Sequence, residues 1–276
     1  MRNMVRALTA LIAVGTALIL VAPTAQANVL DEIVVAHRAG ATNKYGEGTL
    51  KSYKFSVAHH ADILDADIHW TKDGSDADKL GTILVIHDST LNRITNCSGK
   101  VSSWRWISIR KKCRTDFGKQ PLIRLKDLVA YGNSVKKQVA IGLKDSTITN
   151  AQAKQLWKTI RSSNVQLEAP VSRLAALNKI KKLDKADPNH RIKYALVTSG
   201  AGGWPSVSKV KSVGSYLHAE LSIPAKEMRK YNRAGIKVFL YTGKTKSDYK
   251  KMAARDPYGV VVNNVAKFQA WRNTLT

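Results

Sequence analysis

The chain has 276 residues, with 45 Lys and Arg against 20 Asp and Glu, a formal net charge of +25, and 44% hydrophobic residues. A chain of this length buries a substantial core unaided, and the spread of its Lys and Arg excludes a basic tail or block on an otherwise neutral domain. The charge excess leaves two readings open, solubility alone or attraction to a polyanion such as phospholipid headgroups, wall polymers or nucleic acid.

Residues 1–27 read as a secretory signal peptide. Arg2 and Arg6 flank its start, an apolar run follows from Leu8 to Val21, and Ala25-Gln26-Ala27 supplies the small residues of a cleavage site after Ala27. The run is short for a membrane span, which argues against an anchor, and no later segment is apolar enough to cross a bilayer. The expectation is a secreted, extracellular protein whose mature part, residues 28–276, is a single domain and a monomer.

From residue 32 onward, short β-branched runs alternate with helix-length stretches. Strands are expected at 33–37, 62–68, 139–144, 165–169, 194–199, 215–221, 237–242 and 258–263, with helices between them, for example at 49–60, 149–162, 225–234 and 247–254. Eight strands in this rhythm predict an α/β fold, a (β/α)8 TIM barrel. An open doubly wound sheet is the alternative, but no G-x-G-x-x-G turn opens the first helix. Between the second and third strands the rhythm breaks for an elaborated loop. It carries a TKDG turn, an extra strand in TILVIHD, and the two cysteines, Cys97 and Cys113. In an exported protein such a pair predicts a local disulfide; no histidine lies between or beside the two to suggest a metal site. Trp104 and Trp106 in this loop read as packing or as an aromatic lip for a lipid or sugar.

A TIM barrel carries its chemistry at the C-terminal ends of its strands. The first strand ends in His37-Arg38, the second carries Asp65 and Asp67 on one face, the extra strand ends in His87-Asp88, and Lys144 closes the third barrel strand. On a low-dielectric barrel interior, two carboxylates repel unless a cation or an arginine lies between them. Mg²⁺ or Ca²⁺ held by oxygen ligands fits that face, with two histidines serving as general base and general acid. His69 continues the Asp65/Asp67 face, and His218 and Glu220 share one on the sixth strand; structural roles are the expectation for these. Gly142, inside the strand QVAIGLK, marks a bulge or a close approach by another group.

The segments AHRAGATNKYGEGTLKSYKFSVAHHADILDADIHWTKDG and TILVIHDSTLNRIT resemble the glycerophosphodiester phosphodiesterase family, most strongly over residues 33–132. The resemblance implies a TIM barrel and metal-dependent hydrolysis of phosphodiesters. It implies His37 and His87 as the acid/base pair, and Arg38 and Lys144 as phosphate contacts. It implies Asp65 and Asp67, together with Glu47, as metal ligands. Two departures stand out. The position of a third metal carboxylate, two before the lysine, is Gly142, and the aspartate of the last-strand segment corresponds to Asn264. Glu168, at the end of the next strand, is the candidate substitute ligand, ahead of Asp145 and Glu220.

The function expected is hydrolysis of glycerophosphodiesters to glycerol 3-phosphate and an alcohol, with a small-molecule or lipid phosphodiester as substrate. An anionic membrane or wall-polymer surface suits the charge, and no specific nucleic acid partner is expected. A phospholipase D-like enzyme acting on lysophospholipid or sphingomyelin is the enzymatic alternative. A catalytically weak envelope barrel that binds polyanions is the non-enzymatic one.

Overall fold

The computed structural model describes residues 32–40, 42–72 and 80–275. The expected signal segment, residues 1–27, and the second half of the TKDG turn lie outside the described residues. Among the described residues there are nine strands: β1 (Ile33–Ala36), β2 (Ile63–Trp70), β3 (Ile83–Val85), β4 (Gln138–Leu143), β5 (Val165–Pro170), β6 (Lys193–Thr198), β7 (Tyr216–Glu220), β8 (Lys237–Gly243) and β9 (Gly259–Val262). All but β3 are parallel and form a closed ring, since β1 pairs with both β9 and β2. The fold is the expected (β/α)8 TIM barrel. The extra strand, β3, pairs antiparallel with the outer end of β2, Ile68 opposite Val85 and Trp70 opposite Ile83. That pairing carries β2 two residues beyond its expected end.

Helices return the chain between strands, and several begin where a Ser, Thr or Asn side chain accepts from a free backbone N–H. Helix α1 is the single turn Thr42–Tyr45, followed by α2 (Leu50–Ala58), α3 (Trp106–Lys112), α4 (Leu125–Ser134) and α5 (Asn150–Ile160). The remainder are α6 (Leu174–Lys185), α7 (Val207–Val213), α8 (Ala225–Arg233), α9 (Lys246–Ala253) and α10 (Val265–Arg272). Thr49 accepts from the Ser52 N–H to start α2, and Thr149 and Gln152 form a reciprocal capping box at α5. No helix among the described residues is long and apolar enough to cross a membrane.

Strand alternation sorts the barrel into two cores. Leu64, Ala66, Ile68, Val139, Ile141, Leu167, Leu196, Leu217, Val238 and Val260 point outward and pack under the helices. Val35, Ile63, Ala140, Phe239 and Val261 point inward and fill the lower barrel. Above that apolar floor the inward positions become polar: Asp65, Asp67, Gln166, Glu168 and His218 are all buried. The elaborated loop has its own core of Leu84, Ile86, Leu91, Ile94, Val101, Ile109 and Leu122, against which Trp104 and Trp106 pack. The indole N–H of Trp104 donates to the Ser98 carbonyl at 3.0 Å, which fits the packing reading of this residue. Cys97 and Cys113 are joined, with Cα atoms 5.4 Å apart.

Candidate active site

A cavity of about 350 Å³ opens at the C-terminal mouth of the barrel, lined by His37, Arg38, Asp65, Asp67, His87, Lys144 and Glu168 among others. Sequence-predicted residues from five separate chain segments therefore meet in one place. His37 and Arg38 sit just past β1 in a tight turn where Arg38 adopts φ 49° and ψ 43°. A left-handed arginine costs on the order of 1–3 kcal/mol. It aims the Arg38 N–H at Asp65 Oδ2, 2.9 Å away. Arg38 Nε lies 3.5 Å from Asp67 Oδ2 and is buried without a hydrogen bond, a donor left over for an anion.

The two histidines are oriented in the same way. His37 Nδ1 lies 2.6 Å from Asn263 Oδ1, and His87 Nδ1 lies 2.6 Å from Asp88 Oδ1. Each acceptor oxygen requires the proton on Nδ1, which leaves Nε2 of both rings for substrate. Burial, joined by the Arg38 charge, holds His37 below its ordinary pKa, and burial does the same to His87. Asp88 is itself gripped by Arg93 through Nε at 2.6 Å and Nη2 at 3.1 Å. Those bonds and the one from His87 lower the Asp88 carboxyl to about 2. His87 is therefore backed by a permanent carboxylate and His37 by a neutral amide. The residue opposite His37 is Asn263 and not Asn264, whose side chain instead caps α10 by accepting from the Lys267 N–H at 3.0 Å. Counting along a strand end is sensitive to a shift of one residue, which turns a side chain from the barrel to the helix layer.

Gly142 lies in register between Asp67 on β2 and Glu168 on β5. A Cβ there would collide with Asp67 Oδ1, and no other atom stands closer to that point than ordinary van der Waals contact. The glycine is thus the space in which the Asp67 carboxylate lies while it pairs with Lys144 Nζ at 3.0 Å. Glu168 reaches across to the Asp65 carboxyl within hydrogen-bonding range and holds His218 Nδ1 at 3.0 Å. Burial, reinforced by the charges of Asp67 and Glu168, raises Asp65 well above the usual carboxylate range. Burial would raise Glu168 as well, but His218, the bond to Asp65 and Lys144 outweigh it and hold Glu168 low.

The donor chemistry of Asp65, Asp67 and Glu168 suits a hard divalent cation: all are carboxylate oxygens, and two of them are in contact with only a proton to share. As they stand, no three acidic, His or Cys side chains among the described residues are gathered into a closed shell, because Asp67 is turned to Lys144 and Glu168 to His218. Glu47 does not join them. Its oxygens face Arg93 Nη2 at 2.8 Å and Arg38 Nη1 at 3.7 Å, and it lines the adjoining cavity. Asp145 is committed elsewhere too, to His69 Nδ1 at 2.8 Å, while His69 Nε2 donates to the His87 carbonyl at 3.1 Å. This pair ties the end of β4 to the loop that carries His87. Glu220 closes β7 and accepts from the Ser222 hydroxyl at 3.3 Å.

A sequence model of the Glycerophosphoryl diester phosphodiesterase family matches residues 37–267. The glycerophosphodiester phosphodiesterase of Haemophilus influenzae is 39% identical over 70 residues, 25% of this chain and 17% of that protein. That of Caldanaerobacter subterraneus subsp. tengcongensis is 34% identical over 79 residues, 29% of each chain. The matched segment spans under a third of both relatives. Among solved structures, an Oleispira antarctica phosphodiesterase in complex with the product sn-glycerol-3-phosphate superposes with a TM-score of 0.73 at 14% identity, over 87% of this chain and 96% of that one. The glycerophosphodiester phosphodiesterase of Thermotoga maritima gives 0.65 at 21% identity, over 86% and 96%. At such identities the two structures show the shared barrel.

Proposed function

Since the chain belongs to the glycerophosphoryl diester phosphodiesterase family, we propose that it hydrolyses glycerophosphodiesters to glycerol 3-phosphate and an alcohol. One observation carries this reading: two imidazoles, each bonded back through Nδ1 at 2.6 Å, turn Nε2 toward a cavity also lined by Arg38 and Lys144. His37, neutral and beside a cationic arginine, takes the proton of the attacking hydroxyl, which is water or a neighbouring hydroxyl of the diester. His87, whose imidazolium Asp88 stabilises, gives its proton to the leaving oxygen as the P–O bond breaks. Arg38 and Lys144 balance the charge that grows on the phosphoryl oxygens.

Members of the family generally depend on a divalent cation; Mg²⁺ or Ca²⁺ on Asp65, Asp67 and Glu168 would polarise the phosphoryl oxygens. The charge of +25 and the leader-like first 27 residues support export to an anionic membrane or wall-polymer surface.

The test compares glycerophosphocholine with bis(p-nitrophenyl) phosphate, whose leaving group departs without a proton. His87→Ala is expected to lower kcat on glycerophosphocholine about 10²–10⁴-fold and to spare the nitrophenyl ester by comparison. His37→Ala lowers both. Equal losses for His87→Ala on the two substrates exclude it as the acid. Chelation should abolish turnover, and restored activity should require a higher Mg²⁺ or Ca²⁺ concentration in Glu168→Gln than in the wild type.

A further inference from the structure

The cationic side chains that face the catalytic cavity are not equivalent. Lys144 pairs with Asp67, and Arg38 lies between Glu47 and Asp67. Arg173 also lines the cavity. It closes the short turn Val171–Arg173 that follows β5. Its Nε donates to the Lys144 carbonyl at 2.9 Å, and no carboxylate among the described residues pairs with it. That single backbone bond fixes the plane of the guanidinium and leaves the two Nη groups, the fork that grips a carboxylate or phosphate, uncommitted. Thr198 and Ser199, from the end of β6, line the same side of the cavity.

A phosphodiester carries one negative charge, and Arg38 and Lys144 already answer it. Arg173 extends from the neighbouring strand, one strand spacing of about 5 Å further round the rim from Lys144, and away from His37 and Asn263. We propose that Arg173 forms a second anion subsite, which selects diesters carrying a further phosphate or carboxylate a few atoms from the scissile phosphorus. This rests on the phosphodiesterase reading and refines its substrate class. Such a substrate is a headgroup bearing its own anion or a chain of alternating polyol and phosphate, and the chemistry that Arg173 reads is the same in both.

Two substrates differing only at the remote end isolate the subsite: glycerophosphoglycerol and glycerophosphoglycerol phosphate. Wild type is expected to favour the phosphorylated one in kcat/KM. Arg173→Gln should reduce that preference on the order of tenfold to a hundredfold, the scale of a charge-assisted hydrogen-bonded pair. Arg173→Lys should restore part of it, because the charge returns without the fork. Glycerophosphoserine reports whether a carboxylate serves as well as a phosphate. A wild type with no preference, or equal losses on both substrates in Arg173→Gln, overturns the subsite. Calorimetric binding of glycerol 1,3-bisphosphate against glycerol 3-phosphate reads the same subsite without turnover. An Arg173-dependent difference there supports the subsite even in a protein that hydrolyses neither diester, whereas its absence overturns the subsite alone.

Discussion

Replacing Gly142 by alanine adds one methyl group to the barrel interior at the point where Asp67 Oδ1 lies. Asp67 is not free to swing aside, because Lys144 Nζ holds it at 3.0 Å and Arg38 Nε stands 3.5 Å away. Either β4 yields, an overpacking cost of about 1–3 kcal/mol, or Asp67 leaves its lysine and gives up a charge-assisted bond of about 1.5–3 kcal/mol. Both routes give a loss of about 1–3 kcal/mol, a fall in Tm of roughly 2–12 °C for a domain of this size. Misplacing Asp67 and Lys144 by about 1 Å should also cost on the order of 10²-fold in kcat/KM. The assay is a double-mutant cycle in urea with Asp67→Ala. Without the Asp67 carboxylate, nothing else blocks the new methyl, so Gly142→Ala should then cost no more than about 0.5 kcal/mol. An equal cost in both backgrounds would refute the collision and assign the glycine to backbone geometry.

Glu32, buried with neither carboxyl oxygen hydrogen-bonded, is raised by burial from 4.5 to about 8. The folded state therefore binds the extra proton between those values, so stability should fall as pH rises through that window, and Glu32→Gln should flatten the dependence in urea melts from pH 4 to 9. His60 follows α2 with φ 65° and is exposed; His60→Gly should stabilise by about 0.5–1 kcal/mol, the relief of a left-handed side chain less the entropy of glycine. Removing both Cys97 and Cys113, which are 16 residues apart, should cost about 3 kcal/mol. Faster amide exchange should then be confined to the elaborated loop, and a loss spread through the barrel would show that the loop core has no independence.

All eight barrel strands were legible because each is a short apolar or β-branched run bounded by polar turns, and burial on both faces leaves few alternatives. The convergence of His37, Arg38, Asp65, Asp67, His87 and Lys144 followed from their places at strand ends. What was not legible depends on contacts between distant segments. The extension of β2 to Trp70 needs β3 as a partner, and the grip of Arg93 on Glu47 and Asp88 joins residues 46 and 5 apart. No local signal separates Arg173 from the other basic residues near it. Glu168 was found through the gap at Gly142, but its partner His218 lies 50 residues on, on β7. The place of Asn263 beside His37 turns on a register that one residue of slippage hides.

The apolar floor of the barrel closes the cavity along the barrel axis. Val35, Ile63, Ala140, Phe239 and Val261 close it from below, so the cavity is a blind pit through which no chain can be threaded. Whatever reaches His37 and His87 must be offered as an end or a sharply bent segment, and both fragments must leave by the route of entry.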